Sequence, residues 1–170
     1  ERRLRVGATM PAVSVIVRPA RPQDLRAISQ YAGELVRLHH RFDEKRFMLI
    51  PNVESGYEWF FGRELSDPKV VILAADQDGE IVGYAYGRLE ERDWNSLLDD
   101  FGAVHDIFVS PAVRGQGIGR QLMTAMLDAL GERGAPRVVL HTATQNEDAQ
   151  RLFKALGFRP TMIEMTREQK

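Results

Sequence analysis

Apolar residues recur along the chain with two alternating periods, and the alternation lays out its elements. Val13 to Arg18 is rich in β-branched residues and closes on Pro19, which predicts a strand. Pro22 and Asp24 suit a first helical turn, and Leu25, Ile28, Ala32, Leu35 and Leu38 then return at helical spacing, predicting a helix to about His40. A second helical stretch follows Pro51-Asn52, from about Val53 to Leu65, and stops before Asp67-Pro68. Val70 to Ala75 predicts a strand that Asp78-Gly79 turns into another, Ile81 to Leu89, as an antiparallel hairpin. A polar loop, Glu90 to Asp100, precedes a strand over Ala103 to Ser110. Residues 117–133 predict a helix with Ile118, Leu122, Met126 and Leu130 on one face, broken by Gly134-Ala135-Pro136. Arg137 to Thr144 reads as a strand, Glu147 to Leu156 as a helix ended by Gly157, and Phe158 to Thr166 as a last strand or two.

Hairpin strands ahead of a β-α-β unit predict an α/β (α+β) fold with a mixed sheet, its antiparallel half first, in one domain over residues 13–170. The 170 residues are enough for one proper core. Residues 1–12 are expected to be poorly ordered, with Met10 the natural start and residues 1–9 an upstream remnant. The formal net charge of -1 leaves no global field favouring nucleic acid or an anionic membrane. Without cysteine there is no disulfide, thiolate metal site or cysteine nucleophile. No apolar run reaches the length of a membrane span, and a cytoplasmic location is the default expectation.

The stretch that says most about chemistry is AVHDIFVSPAVRGQGIG, residues 103–119. A strand runs into Ser110-Pro111, then Arg114-Gly115-Gln116-Gly117-Ile118-Gly119, and a helix begins at once. Glycines let the backbone approach a ligand closely. The first helical N–H groups lack intrahelical partners and, with the helix dipole, attract an anion. Arg114 adds a forked cationic donor suited to phosphate. No Lys follows the glycines as a P-loop requires, and their spacing is not G-x-G-x-x-G.

R-x-x-G-x-G after a strand ending in a proline turn resembles motif A of the GNAT superfamily of N-acetyltransferases. VIVRPARPQDL (from Val15), GEIVGYAYGRL and RVVLHTATQNEDAQRLFKALGF (from Arg137) are similar to other family segments, in the right order. The resemblance implies a single-domain fold whose sheet splays at the strand before the phosphate loop, with helices on both faces. It implies acetyl-coenzyme A as co-substrate, no metal, and an amine acceptor, either a small molecule or a protein, with homodimers frequent. The loop Arg114, Gly115, Gln116, Gly117, Ile118, Gly119 and Arg120 would hold the coenzyme's pyrophosphate, and Ile107, Phe108 and Val109 of the splayed strand would flank its acyl arm.

Transfer to an amine needs a proton acceptor, and His105 is the best candidate base, since an imidazole titrates near ~6.5. A structural histidine is the competing reading. Alternation puts His105, Ile107 and Val109 on one face and Val104, Asp106 and Phe108 on the other, so His105 and Asp106 are not expected to face the acceptor together. Asp106 matches an acidic family position, first as a structural residue and second as a base or amine anchor. Asn146 resembles the asparagine that meets the pantetheine arm, and equally suits a helix N-cap. Phe153 stands where many members carry a proton-donating tyrosine; Tyr84 and Tyr86 are the remaining donors in view. Arg120, Arg151 and Lys154 are read as solvated charges before phosphate ligands. His39-His40 cannot present two ligands from one helix face. His141 is expected to be buried in its strand. Trp59, Phe60 and Phe61 are divided between acceptor pocket and core. The loop's Glu90, Glu91, Asp93, Asp99 and Asp100 make an acidic rim for a cationic acceptor, or a merely solvated loop. A coenzyme-A-binding sensor without catalysis is the alternative function.

Overall fold

The computed structural model describes residues 14–169. The expectations for residues 1–12 and for a start at Met10 lie outside the described residues. In chain order the elements are β1 (Val15–Pro19), α1 (Leu25–Phe42), α2 (Val53–Glu64), β2 (Val70–Gln77), β3 (Glu80–Glu90), β4 (Phe101–Val109), α3 (Ile118–Glu132), β5 (Val138–Leu140) and α4 (Glu147–Ala155). Single 3-10 turns, Pro22–Asp24 and Pro111–Val113, lead into α1 and follow β4. The strands lie side by side in sequence order, antiparallel from β1 to β4, with β5 parallel to β4.

Period decides which face each residue buries. Leu25, Ile28, Ala32 and Leu35 of α1 pack with Phe61 of α2 onto Ile72, Ala74, Tyr84, Tyr86 and Phe108 on one side of the sheet. Ile118, Leu122, Met123, Met126 and Leu130 of α3, with Phe153 of α4, pack onto Val71, Leu73, Val82, Ala85 and Val104 on the other. The α3 side is close: a Cβ at Gly87 would stand 2.8 Å from the Met126 sulfur and 2.7 Å from the Ala103 carbonyl oxygen. At the start of α1, the Asp24 carboxylate accepts two bonds from the Arg18 guanidinium, at 2.7 and 3.1 Å, and one from the Arg21 backbone N–H at 2.7 Å. Those donors hold its pKa below the usual carboxylate range.

Two expectations need correction. β5 covers Val138–Leu140 and not Arg137 to Thr144, and it pairs only with Gly102, Ala103 and Val104. Beyond Leu140 the chain leaves the sheet and turns into α4, with the Asn146 N–H donating to the Ala143 carbonyl. The last strands expected over Phe158 to Thr166 are absent among the described residues. Adjacent Met162 and Ile163 are both exposed, as is Met165, so no single strand face is buried there. An Arg46–Glu164 ion pair ties this segment to the loop after α1.

Candidate active site

The site is built around an irregularity in β4. On β3, Tyr86 and Gly87 are consecutive; their partners on β4 are Asp106 and Val104. His105 is therefore one residue more than the ladder needs, a β-bulge. The bulge overturns the face assignment made from strict alternation. Val104 joins the α3 side, while His105 and Asp106 turn together toward α1 and α2. There they line one cavity of about 290 Å³ with Tyr57, Phe60, Tyr86, Arg88 and Glu90.

The two side chains meet different surroundings. The exposed His105 ring stacks on Tyr86 with centroids 5.3 Å apart, and its Nε2 lies 3.4 Å from Glu90 Oε1. Asp106 is half-buried and accepts a hydrogen bond from the Tyr84 hydroxyl at 3.0 Å. Loss of solvent pushes its pKa up, against the Tyr84 bond and the nearby His105 and His39, which pull it down. Burial also raises the Tyr84 phenol well above its usual range, and burial beside the Asp106 charge pushes Tyr57 up to about 12. Tyr86, raised by burial, donates to Glu64 at 2.8 Å, which also accepts from Arg88 at 3.0 Å. Both hairpin tyrosines thus already donate to carboxylates and are held in their neutral form. Chemically, the cavity is an open recess that offers an accessible imidazole beside carboxylates and aromatic rings: a place for an ammonium group and for its proton.

At the far end of the same strand lies the glycine loop, about 13 Å along β4 from His105 at ~3.3 Å per residue. Gly115 and Gly117 have φ of 80° and 81°, a conformation that disfavours any residue with a Cβ. A Cβ at either would meet nothing within 4 Å, so open space faces the loop. Among the described residues, no N–H group from Gly115 to Arg120 has an acceptor; the first such bond is from the Gln121 N–H to the Gly117 carbonyl. Ile118 buries its side chain in the core while its N–H remains in this row. Gly119 allows α3 and α4 to cross, since a Cβ there would stand 3.3 Å from Leu152 Cδ2. The Arg114 guanidinium lies back over the end of β4, its Nε donating to the Val109 carbonyl at 2.9 Å and its plane 5.3 Å from the Phe108 ring. Between loop and cavity, no strand among the described residues pairs with β4 from His105 to Val109 on its β5 side, which opens the sheet as expected. Phe108 is buried against α1, and Ile107 and Val109 are half-buried on the α3 side. The open row of N–H groups and the parted strands together fit a coenzyme's diphosphate and its arm.

Other candidates fall into place. The Asn146 side chain caps α4, accepting from the Ala149 N–H at 3.3 Å. Phe153 is buried against Phe158 and offers no proton. Arg151 pairs with Asp148 beside it, and Arg120 and Lys154 are exposed. His39 and His40 each use Nδ1 on a backbone carbonyl, of Leu35 and Phe47. His141 is exposed beyond the end of β5, which ends before reaching it, and is not buried as expected. Of the α2 aromatics, Phe61 enters the core, Phe60 lines the cavity, and Trp59 stays exposed beneath Arg63. The loop's charges are partly neutralised: Glu91 by Lys69, Asp99 by Arg92. Tyr57, Glu64 and Arg88 carry no motif and were not singled out in the sequence. Arg88 was detectable only in retrospect, as a cation two residues past Tyr86 on the same strand face.

A mixed sheet that parts at the strand feeding a glycine turn and a helix N-terminus defines an α/β domain that receives a phosphorylated ligand at its strand ends. The chain belongs to the acetyltransferase (GNAT) family, whose model matches residues 34–158. It is 34% identical to the mycothiol acetyltransferase of Thermomonospora curvata over 92 residues, 54% of this chain and 28% of that one. It is 36% identical to the N-alpha-acetyltransferase RimI of Mycobacterium tuberculosis over 102 residues, 58% of each chain. The chain spans under a third of the mycothiol acetyltransferases it matches. The aminoglycoside N-acetyltransferase AAC(6')-Iy, solved in complex with CoA, shares the fold with a TM-score of 0.72 at 18% identity, covering 95% of this chain and 99% of that one. No helix among the described residues is long and apolar enough to cross a membrane.

Proposed function

We propose that this chain transfers an acetyl group from acetyl-coenzyme A to a primary amine by direct attack in a ternary complex. The single observation that carries the reading is the bulge at His105, which sets an imidazole and a carboxylate on one cavity wall where β4 parts from β5. Family membership supports the reaction class. The N–H groups of Gly115 to Arg120 hold the diphosphate, with Arg114 beside them, and Ile107, Phe108, Val109, Asn146 and Phe153 border the arm. When bound, the coenzyme supplies the thioester carbonyl that the amine attacks. Asp106 and Glu90 draw the ammonium group in, and His105 takes its proton. Holding both reactants in one slot supplies much of the rate, roughly 7–11 kcal/mol in well-oriented systems. With Phe153 unable to donate, water protonates the leaving sulfur; a thiol pKa near ~8.5 makes that sulfur a tolerable leaving group.

Thiol release from acetyl-coenzyme A in the presence of pooled amines tests the reaction. Release above the amine-free rate is expected. Coenzyme binding without release is the outcome of the sensor reading, which the buried, proton-free Phe153 favours. Calorimetry completes the test: acetyl-coenzyme A is expected to bind much more tightly than ATP or NAD.

A further inference from the structure

Resting on the reading of the cavity as the acceptor's seat, we infer that the acceptor carries no carboxylate on the carbon next to its amine. Amino amides and amines with neutral neighbours are taken; free α-amino acids are turned away.

The cavity is open and shallow and, at about 290 Å³, at the lower end for ligand sites, so its walls meet the amine and the few atoms around it. A carboxylate on the adjacent carbon enters with the amine and needs a cation there. Among the described residues, Arg88 is the one permanently charged cation lining the cavity. It is already surrounded: Glu64 at 3.0 Å, Glu90 at 3.5 Å and Asp67 at 3.6 Å. Glu90 also faces His105, and Asp106 stands on the same wall. Cations nearby are engaged elsewhere, Lys69 with Glu91, Arg37 with Glu54 and Arg63 on the Trp59 ring. A substrate carboxylate therefore brings a fourth negative charge to one guanidinium. An amide carbonyl brings none. The Arg88 Nε is buried and turned toward Glu90 Oε1 at 3.5 Å, so this edge of the guanidinium is also closed to a substrate carboxylate. Specificity here works by repulsion as well as by fit.

The matched pair L-alaninamide and L-alanine tests this on the full chain saturated with coenzyme A, by calorimetry, and with acetyl-coenzyme A, by initial rates. Alaninamide is expected to bind at least tenfold more tightly. In the double variant Glu64→Gln, Asp67→Asn, which frees Arg88, the preference is expected to narrow at least threefold; comparing ratios cancels the acceptors' own basicity. Equal or tighter binding of alanine overturns the inference, as does failure of both to bind, or an unchanged ratio in the folded double variant. Preferential binding of alaninamide without turnover supports this specificity and counts against the transferase reading alone.

Discussion

Two carboxylates on the same side of the sheet, Asp24 at the β1–α1 corner and Asp106 at the β4 bulge, have opposite fates. Asp24 meets a forked guanidinium and a backbone N–H, and its pKa is held down. Asp106 meets one phenol and a wall of rings, and loss of solvent pushes its pKa up. The corner spends its charge on closure, since both carboxylate oxygens face donors of the chain itself. The bulge leaves a charge underserved, which is how a binding site differs from a structural joint.

The largest effect that sharpens this contrast is on rate alone. His105→Ala should lower kcat at pH 7 by roughly 10²–10⁴-fold. Because the ring is exposed on a surplus residue, Tm should move by less than about 2 °C and coenzyme affinity should stay nearly intact. A large Tm loss would break the contrast.

Asp24→Ala should do the reverse. Arg18 keeps Asp76 as a partner at 2.8 Å, so losing the Asp24 bonds is expected to cost about 1–3 kcal/mol, lowering Tm by roughly 2–12 °C in a chain of this size with kcat nearly unchanged. Asp24 is depressed in the folded state, so its stabilisation is full above the unfolded value near ~4 and fades as pH falls through the folded one. Thermal melts from pH 7 to pH 3 should show the variant's deficit shrinking.

Gly117→Val forces φ near 81° on a branched residue, at a cost of about 1–2 kcal/mol, and puts a side chain into the open space that faces the loop. Acetyl-coenzyme A affinity should fall at least about tenfold by calorimetry. The His105 and Gly117 variants must differ: one loses rate, the other coenzyme. The smallest effect belongs to Asp106→Asn. A raised folded pKa means that stability is full below the unfolded value and is lost as pH rises through the folded one. The amide should therefore stabilise slightly at pH 7, by up to about 1 kcal/mol, and the gain should vanish below about pH 4.

Much of the fold was legible because period reports burial. The Leu25–Leu38 and Ile118–Leu130 series gave α1 and α3 almost to their ends, and Asp78-Gly79 gave the hairpin. The glycine loop was legible because its backbone demands those residues. The cavity at the bulge was not. A bulge leaves no mark in side-chain alternation, so pattern placed His105 and Asp106 on opposite faces. Arg88 and Glu64 read as ordinary charges because their meeting joins a strand to a distant helix. Phe158 to Thr166 carries strand-like residues, but a strand requires a neighbour to pair with, which local sequence does not report.

The bulge falls one residue past the last β4 residue that β5 pairs with, Val104. A single backbone kink thus fixes two geometries, the parting of the strands and the wall of the cavity, which on the proposed reading receive the donor and the acceptor. New acceptors can be accommodated by exchanging side chains on α2 and at the end of β3, while the seam that aligns both partners stays untouched.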